Sequence, residues 1–417
     1  MATETTNALV PIPKWQIAAF YLSSFIAFIV HPMYSYSLII YTRKITQSDS
    51  WTGVVFSLIY APFAICSLVG GIVSDRYSRR AIIIIASLLT AAFVSAVSYT
   101  IHLGHITRAN FGFLFVFAAI YGMIVPFVAT ARLSMIGNVL MPTNVGSGAI
   151  FMTLMSVVGY GLGPLIAGFT KENASWTLLF QVNAVGWLVS ALGFSLLTRT
   201  HQQAKSSQDS HLQDFFYGVK YIFQHKLLLQ ICLFMSVVAI FVLGPYQTIM
   251  PEFLKQTFSL GERQRGSFMA VFGAGLLLGG IIATILRVHR RRGLLLSLSC
   301  MFMGTTFTLV SLTASYYPSL FFLFFSGCLG GISNGLVSAT MQEESPDRVK
   351  GRVMSMYTFI LIGMPAWGGL FVSMYAEKSS LAQSIIYTGM VSFLLSFILT
   401  IYSKKLRNNI YEVKPKQ

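Results

Sequence analysis

Ionisable side chains are scarce inside the long apolar runs of this 417-residue chain, and His31 is the one that lies well within such a run. An imidazole with an ordinary pKa near 6.5 gains and loses a proton within the physiological pH range. Pro32 follows it and frees a backbone carbonyl, and Tyr34 lies about one helical turn away, so hydrogen-bond partners are close. His31 is therefore a candidate proton site. The alternative is a hydrogen-bonded packing residue.

A second distinctive segment concentrates charge between two apolar runs. It begins at Gly71 and contains one acid, Asp75, followed by the arginines Arg76, Arg79 and Arg80. A charged side chain costs about 3 kcal/mol at the centre of a membrane helix. The segment therefore predicts a tight turn between two membrane spans, outside the hydrocarbon.

The composition indicates a multi-span membrane protein. Hydrophobic residues make up 55% of the chain, only 10% of residues are charged, and the mean hydropathy is +0.68, whereas about a quarter of the residues of soluble domains are charged. The net charge of +16 comes from basic residues at the ends of apolar runs, which is typical of topology signals and not of a nucleic-acid-binding face. The four cysteines have no paired spacing, so neither a disulfide framework nor a metal site is expected. No phosphate-binding loop with an adjacent Lys occurs, so no ATP or other cofactor is expected.

Twelve segments have the length of about 20 apolar residues that a membrane helix needs. The first covers residues 15–38 and the last 383–402. They predict an all-α integral membrane protein with an N-terminal six-helix half at residues 1–198 and a C-terminal six-helix half and basic tail at 227–417. The cytoplasmic linker at 199–226 has apolar residues at helical spacing, which predicts an amphipathic helix on the membrane surface or a helical linker without membrane contact.

The distribution of Lys and Arg among the loops predicts that both termini are cytoplasmic. The outside loops are short, and the protein is expected to be a multi-pass protein of the bacterial inner membrane. The two halves also repeat: a shift of 204 residues aligns Pro142 with Pro346 and Gly159 with Gly363. The repeat predicts two pseudo-symmetric halves with related folds.

The charged segment resembles the G-x-x-x-D-R-x-x-R-[RK] loop between the second and third spans of the major facilitator superfamily of secondary transporters. Ser78 stands where that motif usually has glycine. The resemblance implies that Asp75 tightens an inside gate against the start of span 11, near Gly351 and Arg352. Arg132, at the inner end of span 4, is a possible ion partner for Asp75.

Span 5 is similar to the G-x-x-x-G-P-x-x-G-G motif of the antiporters of the superfamily, most of which are exporters. The matching residues are Gly159, Gly163, Pro164 and Gly168, and Ala167 replaces one glycine. Glycine allows helices to approach closely and proline bends them, so close helix packing alone is the simpler interpretation. The linker and the segment before span 11 are similar to those of the enterobactin-exporter and macrolide-efflux branch.

In the superfamily, spans 1, 4, 7 and 10 line the central path. The resemblance therefore implies that polar and aromatic residues in these spans face the substrate. The six candidates are His31, Tyr34, Tyr121, Tyr246, Gln247 and Asn334. Anchoring at the membrane interface is the alternative for the tyrosines.

These observations predict a monomeric secondary transporter that exports an amphipathic organic solute, such as a drug or a siderophore, by alternating access. Protons are the expected coupling ion, with His31 as their site, and the lipid bilayer is the expected surrounding. One alternative is uptake, or flipping of a lipid-like molecule, by the same fold. Another is a membrane receptor or scaffold that transports nothing. An enzyme is not expected, because no catalytic cluster converges on one membrane face.

Overall fold

The computed structural model describes residues 12–140, 144–198, 219–286, 291–313 and 315–403, most of which are helical. Within these ranges, twelve helices are long and apolar enough to cross a membrane. They are α1 Lys14–Thr46, α2 Asp49–Arg76, α3 Arg79–His102, α4 Phe113–Val139, α5 Val145–Asn173, α6 Trp176–Ser195, α7 Lys226–Thr248, α8 Glu262–Leu286, α9 Arg292–Leu312, α10 Tyr316–Glu344, α11 Asp347–Lys378 and α12 Leu381–Tyr402. A short helix, Met250–Phe258, follows α7 and is called the α7 extension. The prediction of an all-α protein with twelve spanning helices is confirmed.

Several helices are longer than the predicted spans. The first span was predicted at 15–38, whereas α1 continues through Arg43 and Lys44 to Thr46. The prediction followed the apolar content, but a helix satisfies its backbone groups internally whatever its side chains are. Polar and charged residues therefore extend the helix beyond the hydrocarbon.

Two predicted segments lie mostly or wholly outside the described residues. The predicted amphipathic helix of the linker enters the described chain only at its end, where residues 219–224 are helical. The basic tail beyond residue 403 lies outside the described chain.

Helix α7 changes its hydrogen-bonding pattern midway. It is α-helical to Val238 and π-helical over Ala239–Leu243, directly before Gly244 and Pro245. A π-turn accommodates the backbone donor that proline lacks. The turn packs closely on α11, because a Cβ on Gly368 would meet the carbonyl oxygen of Ile240.

The packing of the helices repeats with an offset of six. In the first half α1 packs on α5, α2 on α4, and α3 on both α4 and α6. In the second half α7 packs on α11, α8 on α10, and α9 on both α10 and α12. The same helix pairs are therefore adjacent in both halves, as the sequence repeat predicts.

The halves meet through two related helix pairs, α2 with α11 and α5 with α8. Near the connection of α1 to α2, a Cβ on Gly53 would lie 2.6 Å from Cβ of Ser373. Further along, the hydroxyl of Ser57 donates to the carbonyl oxygen of Ala366 at 2.7 Å. A Cβ on Gly363 would lie 2.9 Å from Cβ of Ala64. This end of the bundle, which also carries the α5–α6 and α11–α12 connections, is called the closed end.

At the opposite end, three glycines have open space beside them. A Cβ on Gly71, near the end of α2, or on Gly351, in the first turns of α11, would meet nothing within 4 Å. A Cβ on Gly280, in the last part of α8, would likewise meet nothing. The glycines named at the closed end therefore pack tightly against the other half, whereas these three glycines make no such close contact.

Candidate functional site

His31 lies in an aromatic cluster inside the first half. Its Nδ1 is 3.3 Å from the hydroxyl oxygen of Tyr121, and the two rings are parallel with centroids 5.8 Å apart. Tyr121 also stacks on Tyr34 at 3.8 Å. Tyr34 and Tyr121 are fully buried, and the Tyr34 hydroxyl donates to the carbonyl oxygen of Phe117 at 3.4 Å. Three sequence candidates thus form one cluster, in which both tyrosines are packed within their own half.

Proline and polar side chains organise α1 around this cluster. Pro32 lies one residue after His31, and the amide nitrogen of Asn183, in α6, donates to the carbonyl oxygen of Val30 at 2.7 Å. A buried side-chain donor therefore satisfies a backbone acceptor next to the proline, which offsets the cost of burying the amide.

A small cavity of about 20 Å³ lies between the halves, and four tyrosines dominate its wall. Helices α1, α2 and α5 contribute from the first half, and α7 and α8 from the second. The lining residues are Pro32, Ser35, Tyr36, Ile39, Tyr60, Tyr160, Pro164, Tyr246, Gln247 and Met269. We call this space the tyrosine cavity. Tyr246 and Gln247, both expected to face the substrate, line it, whereas Tyr34 and Tyr121 do not.

Two of the tyrosine hydroxyls are available for a ligand. The hydroxyl oxygens of Tyr36 and Tyr60 are buried and have no hydrogen bond of ordinary geometry to any described residue, although Tyr60 lies close to Ser35 and Tyr160. A buried hydroxyl without a partner is unfavourable by about 1–3 kcal/mol. A bound solute with hydrogen-bonding groups and an apolar body would remove that cost.

The remaining candidates of the second half are held by neighbours. The Tyr246 hydroxyl donates to the carbonyl oxygen of Met269 at 2.7 Å, and its ring packs on Phe272 at 4.2 Å. Asn334, in α10, accepts a hydrogen bond from the Tyr357 hydroxyl at 2.7 Å. Asn334 is not part of the wall of the tyrosine cavity.

The glycines of α5 face two different neighbours. On one side, a Cβ on Gly163 would lie 2.7 Å from Cγ of Pro32 and 2.8 Å from the backbone nitrogen of Met33, and Gly159 is equally close to α1. On the other side, a Cβ on Gly168 would lie 2.5 Å from the carbonyl oxygen of Glu262, in α8. Helix α5 therefore packs closely on its own half and on the other half at once.

Pro164 also belongs to the contact between the halves. A Cβ on Gly266 of α8 would meet the carbonyl oxygen of Pro164, and Pro164 itself lines the tyrosine cavity. The four motif residues of span 5 are thus divided between the α1 contact and the α8 contact.

The charged segment after α2 is attached to the first half. Nη1 of Arg79 donates to the carbonyl oxygen of Ser134 at 2.7 Å and to Oδ1 of Asn138 at 2.6 Å. Nη2 of Arg80 donates to the carbonyl oxygen of Ser195 at 2.5 Å. These bonds fix the segment on α4 and α6.

The other residues of this charged segment, Asp75, Arg76 and Ser78, do not take part in these hydrogen bonds to α4 and α6. The side chain of Asp75 lies outside the described part of the structure, and Arg76 is exposed. Ser78, which replaces the usual glycine, accepts a hydrogen bond from the backbone nitrogen of Ala81 and thereby caps α3. The serine is compatible with the turn because its φ is −60°.

Arg132 is buried against α1. Its Nη1 donates to the carbonyl oxygen of Ser24 at 3.3 Å, and its guanidinium lies 3.7 Å from the centre of the Phe28 ring. The predicted pair of Arg132 with Asp75 stays a prediction, because the Asp75 side chain is not described. Gly351 and Arg352 lie in the first turns of α11.

Sequence reasoning missed Tyr36, Tyr60 and Tyr160 as cavity residues. Tyr60 lies in α2 and Tyr160 in α5, outside the four spans expected to line the path. Tyr36 and Tyr34 are two residues apart on α1, so they point in different directions. A helical wheel of α1, drawn from the sequence alone, would have placed these two tyrosines on different faces.

Comparisons with known proteins agree with this architecture. The profile of the Major Facilitator Superfamily matches residues 20–369. Macrolide efflux protein A of Streptococcus pyogenes is 21% identical over 376 residues, which cover 87% of this chain and 89% of that protein. The cis,cis-muconate transport protein of Acinetobacter baylyi is 24% identical over 410 residues, 94% of this chain and 95% of that protein.

Solved structures share the fold. A nucleoside transporter, NupG, superposes with a TM-score of 0.77 at 13% identity, covering 93% of this chain and 100% of that chain. A bacterial homolog of the human lysosomal transporter Spinster, in an inward-facing and unoccupied conformation, has a TM-score of 0.77 at 13% identity, covering 96% and 99%. With the profile spanning most of the chain and the twelve helices in two related halves, the protein is a multi-pass membrane protein that belongs to the Major Facilitator Superfamily.

Proposed function

We propose that this protein exports an amphipathic organic solute across the bacterial inner membrane by alternating access. The observation that carries the proposal is the tyrosine cavity between the two halves, in which the described residues supply no hydrogen-bond partner to the Tyr36 hydroxyl and only Ser35 and Tyr160 lie close to the Tyr60 hydroxyl. A wall of tyrosines with Ser35 and Gln247 supports a solute that has both apolar surface and hydrogen-bonding groups, admitted when the halves move apart around this small cavity. The macrolide efflux relative supports export of such a molecule, such as a drug or a siderophore.

The proposed orientation places the closed end outside. Lys and Arg are concentrated in the segments at the opposite end, as expected for the cytoplasmic side, and the start of α1 and the end of α12 lie at that end. In this orientation we propose that the solute enters from the cytoplasm. The functional unit is proposed to be the monomer, because each chain contains both halves around one cavity.

Proton antiport is the proposed energy source. The similarity of α5 to the antiporter motif supports it, and His31, 3.3 Å from Tyr121, is the proposed proton site. A proton on His31 would alter the hydrogen bond with Tyr121, whose ring stacks on Tyr34 of the same helix as His31.

A second candidate function is transport of an organic acid. The muconate transport relative favours it, and it fits the unpartnered tyrosine hydroxyls, because a carboxylate accepts hydrogen bonds from phenols. Movement of such a solute inward, flipping of a lipid-like molecule, and a receptor or scaffold without transport are the remaining alternatives.

The test is accumulation of radiolabelled erythromycin in a bacterial strain without its own drug exporters. Cells expressing the protein should accumulate less erythromycin than cells with an empty vector, and a protonophore should abolish the difference. In parallel, small molecules inside and outside a deletion strain are compared with those of its parent. A solute retained inside the deletion strain supports export, one depleted inside it supports uptake, and no difference for any solute contradicts transport.

A further inference from the structure

A carboxylate of one half caps a helix of the other half at the closed end. Oε2 of Glu377, in the last turn of α11, accepts hydrogen bonds from the hydroxyl of Ser48 at 3.0 Å and from the backbone nitrogens of Asp49 and Ser50 at 2.6 and 3.1 Å. The first backbone N–H groups of a helix have no partner within the helix, and the helix dipole favours a negative charge there. The α2 terminus thus obtains a counter-charge from the other half, in addition to Asp49 in its own first turn.

An arginine makes a second link between the halves. Nε of Arg43, near the end of α1, lies 3.1 Å from Oδ1 of Asp49 and 3.9 Å from Oε1 of Glu252 in the α7 extension. Lys255 lies 3.8 Å from the same Glu252 oxygen. The side chains of Arg43 and Glu252 are only 18% and 14% exposed, so water screens their interaction less than it screens an exposed pair.

Both links depend on how the halves are arranged. If the halves separated at the closed end, Glu377 would leave the α2 terminus and Glu252 would leave Arg43. The Arg43–Asp49 pair would remain, because both residues belong to the first half. The Glu377 and Glu252 contacts therefore stabilise one arrangement of the halves without stabilising the folding of either half.

We propose that Glu377 at the α2 N-terminus and Glu252 beside Arg43 form an electrostatic latch that holds the closed end shut and sets the equilibrium between the two arrangements of the halves. The proposal rests on the alternating access proposed above. Because Glu377 is largely exposed, its interactions are partly screened, and the latch biases the equilibrium without fixing it. Solute binding can then shift the equilibrium with a moderate difference in affinity for the two states.

The test measures the distance between the halves at the closed end without any transported solute. Spin labels are placed on cysteines introduced at the exposed positions Gln47 and Thr257, in a background from which the four native cysteines have been removed. Distances are recorded by pulsed electron paramagnetic resonance on purified protein. Glu377→Gln should increase the ratio of long to short distances by about fivefold, the effect of one weakened charge-assisted hydrogen-bond group.

Two further variants make the test specific. Arg43→Gln should shift the distances in the same direction as Glu377→Gln. Folding of each variant is judged by size-exclusion chromatography, and if one does not fold, the other tests the latch alone. Glu172→Gln is the matched control, because Glu172 is an exposed carboxylate in α5 at the same end. Unchanged distances in folded Glu377→Gln and Arg43→Gln protein, or an equal shift in Glu172→Gln, would overturn the latch. Because no solute is present, this outcome is independent of the efflux assay that tests transport.

Discussion

At the scale of single residues, Tyr60 offers the most direct test of the tyrosine cavity. Its buried hydroxyl has no hydrogen-bond partner of ordinary geometry among the described residues. If the solute supplies that partner, Tyr60→Phe should weaken solute binding by about threefold to tenfold, the contribution of one hydrogen bond. Binding is measured by tryptophan fluorescence of purified protein titrated with the solute found in the efflux assay.

The control for this variant is Tyr34→Phe. The Tyr34 hydroxyl donates to the carbonyl oxygen of Phe117 and lies outside the cavity wall. Tyr34→Phe should leave solute affinity unchanged. If both variants bound equally well, or if Tyr34→Phe alone weakened binding, the cavity would not be the solute site.

His31 is tested by separating energy coupling from solute movement. His31→Gln keeps a polar side chain near the Tyr121 hydroxyl but cannot titrate near neutral pH. We expect the variant to lose solute accumulation driven by a pH gradient and to retain downhill exchange. The measurement is flux in proteoliposomes with and without the imposed gradient. Concentration of solute by His31→Gln protein would exclude this histidine as the coupling site and direct attention to carboxylates at the helix ends, such as Glu252.

The chemical identity of the candidate residues could be predicted more readily than their positions around the site. His31 was singled out because ionisable residues are rare inside membrane spans. Tyr246 and Gln247 came from the superfamily rule for span 7, and they line the cavity. Tyr121 and Tyr34 pack inside the first half because the rotation of a helix about its axis depends on its neighbours, and an apolar span with little amphipathicity gives no sign of that rotation.

At the scale of helices, α5 packs closely against both α1 and α8. A Cβ on Gly163 would already lie 2.7 Å from Pro32, so the larger side chain of Gly163→Leu must push α5 away from α1. Forced overpacking typically costs about 1–3 kcal/mol. We expect lower thermal stability and transport reduced by about tenfold or more, measured by thermal unfolding in detergent and by flux in proteoliposomes.

Gly280→Leu is the matched control for α5. Gly280 lies in a membrane helix, and a Cβ there would meet nothing within 4 Å. This variant should keep thermal stability near the wild-type value, so a loss of stability found only in Gly163→Leu is assigned to the contact of α5 with α1. Normal flux through Gly163→Leu would mean that α1 and α5 can separate without consequence for transport.

The helices themselves were largely predictable, because a long apolar stretch in a bilayer must satisfy its backbone internally. Their partners were predictable only where the repeat supplied symmetry. The π-turn in α7 could not be predicted from the sequence, because it depends jointly on Pro245 and on the close approach of Gly368 in α11. Links across the halves, such as that of Glu377 with α2, join residues more than 300 positions apart, which no local pattern indicates.

At the scale of the whole molecule, the two ends of the bundle are expected to act in opposition under the proposed alternating access. At the closed end Glu377 joins α11 to the start of α2, while a Cβ on Gly351, in the first turns of the same α11, would meet nothing within 4 Å. Helix α2 likewise contacts α11 at one end and carries the charged segment at the other. If α2 and α11 move largely as rigid helices, the contacts at one end form as those at the other break.

Asp75 is expected to act in the arrangement in which the closed end has opened and the opposite end has come together. The charged segment is held on the first half by Arg79 and Arg80, so its carboxylate is carried with that half toward α11. Asp75→Asn should therefore reduce transport by about tenfold or more, the loss of a charge-assisted hydrogen bond, with membrane abundance near normal. Arg76→Ala should also impair transport, and Lys404→Ala in the basic tail should not.

Asp75→Asn should also shift the equilibrium between the two arrangements of the halves. Removing the Asp75 charge destabilises the arrangement in which the closed end is open, so the distance between labels at positions 47 and 257 should become shorter on average. Glu377→Gln acts in the opposite direction, and combining it with Asp75→Asn should restore part of the lost long-distance population and part of the flux. Abundance is followed by immunoblotting, distances by pulsed resonance and flux in proteoliposomes. If the double variant showed the distances of Asp75→Asn alone, the two ends would not be coupled through α2 and α11.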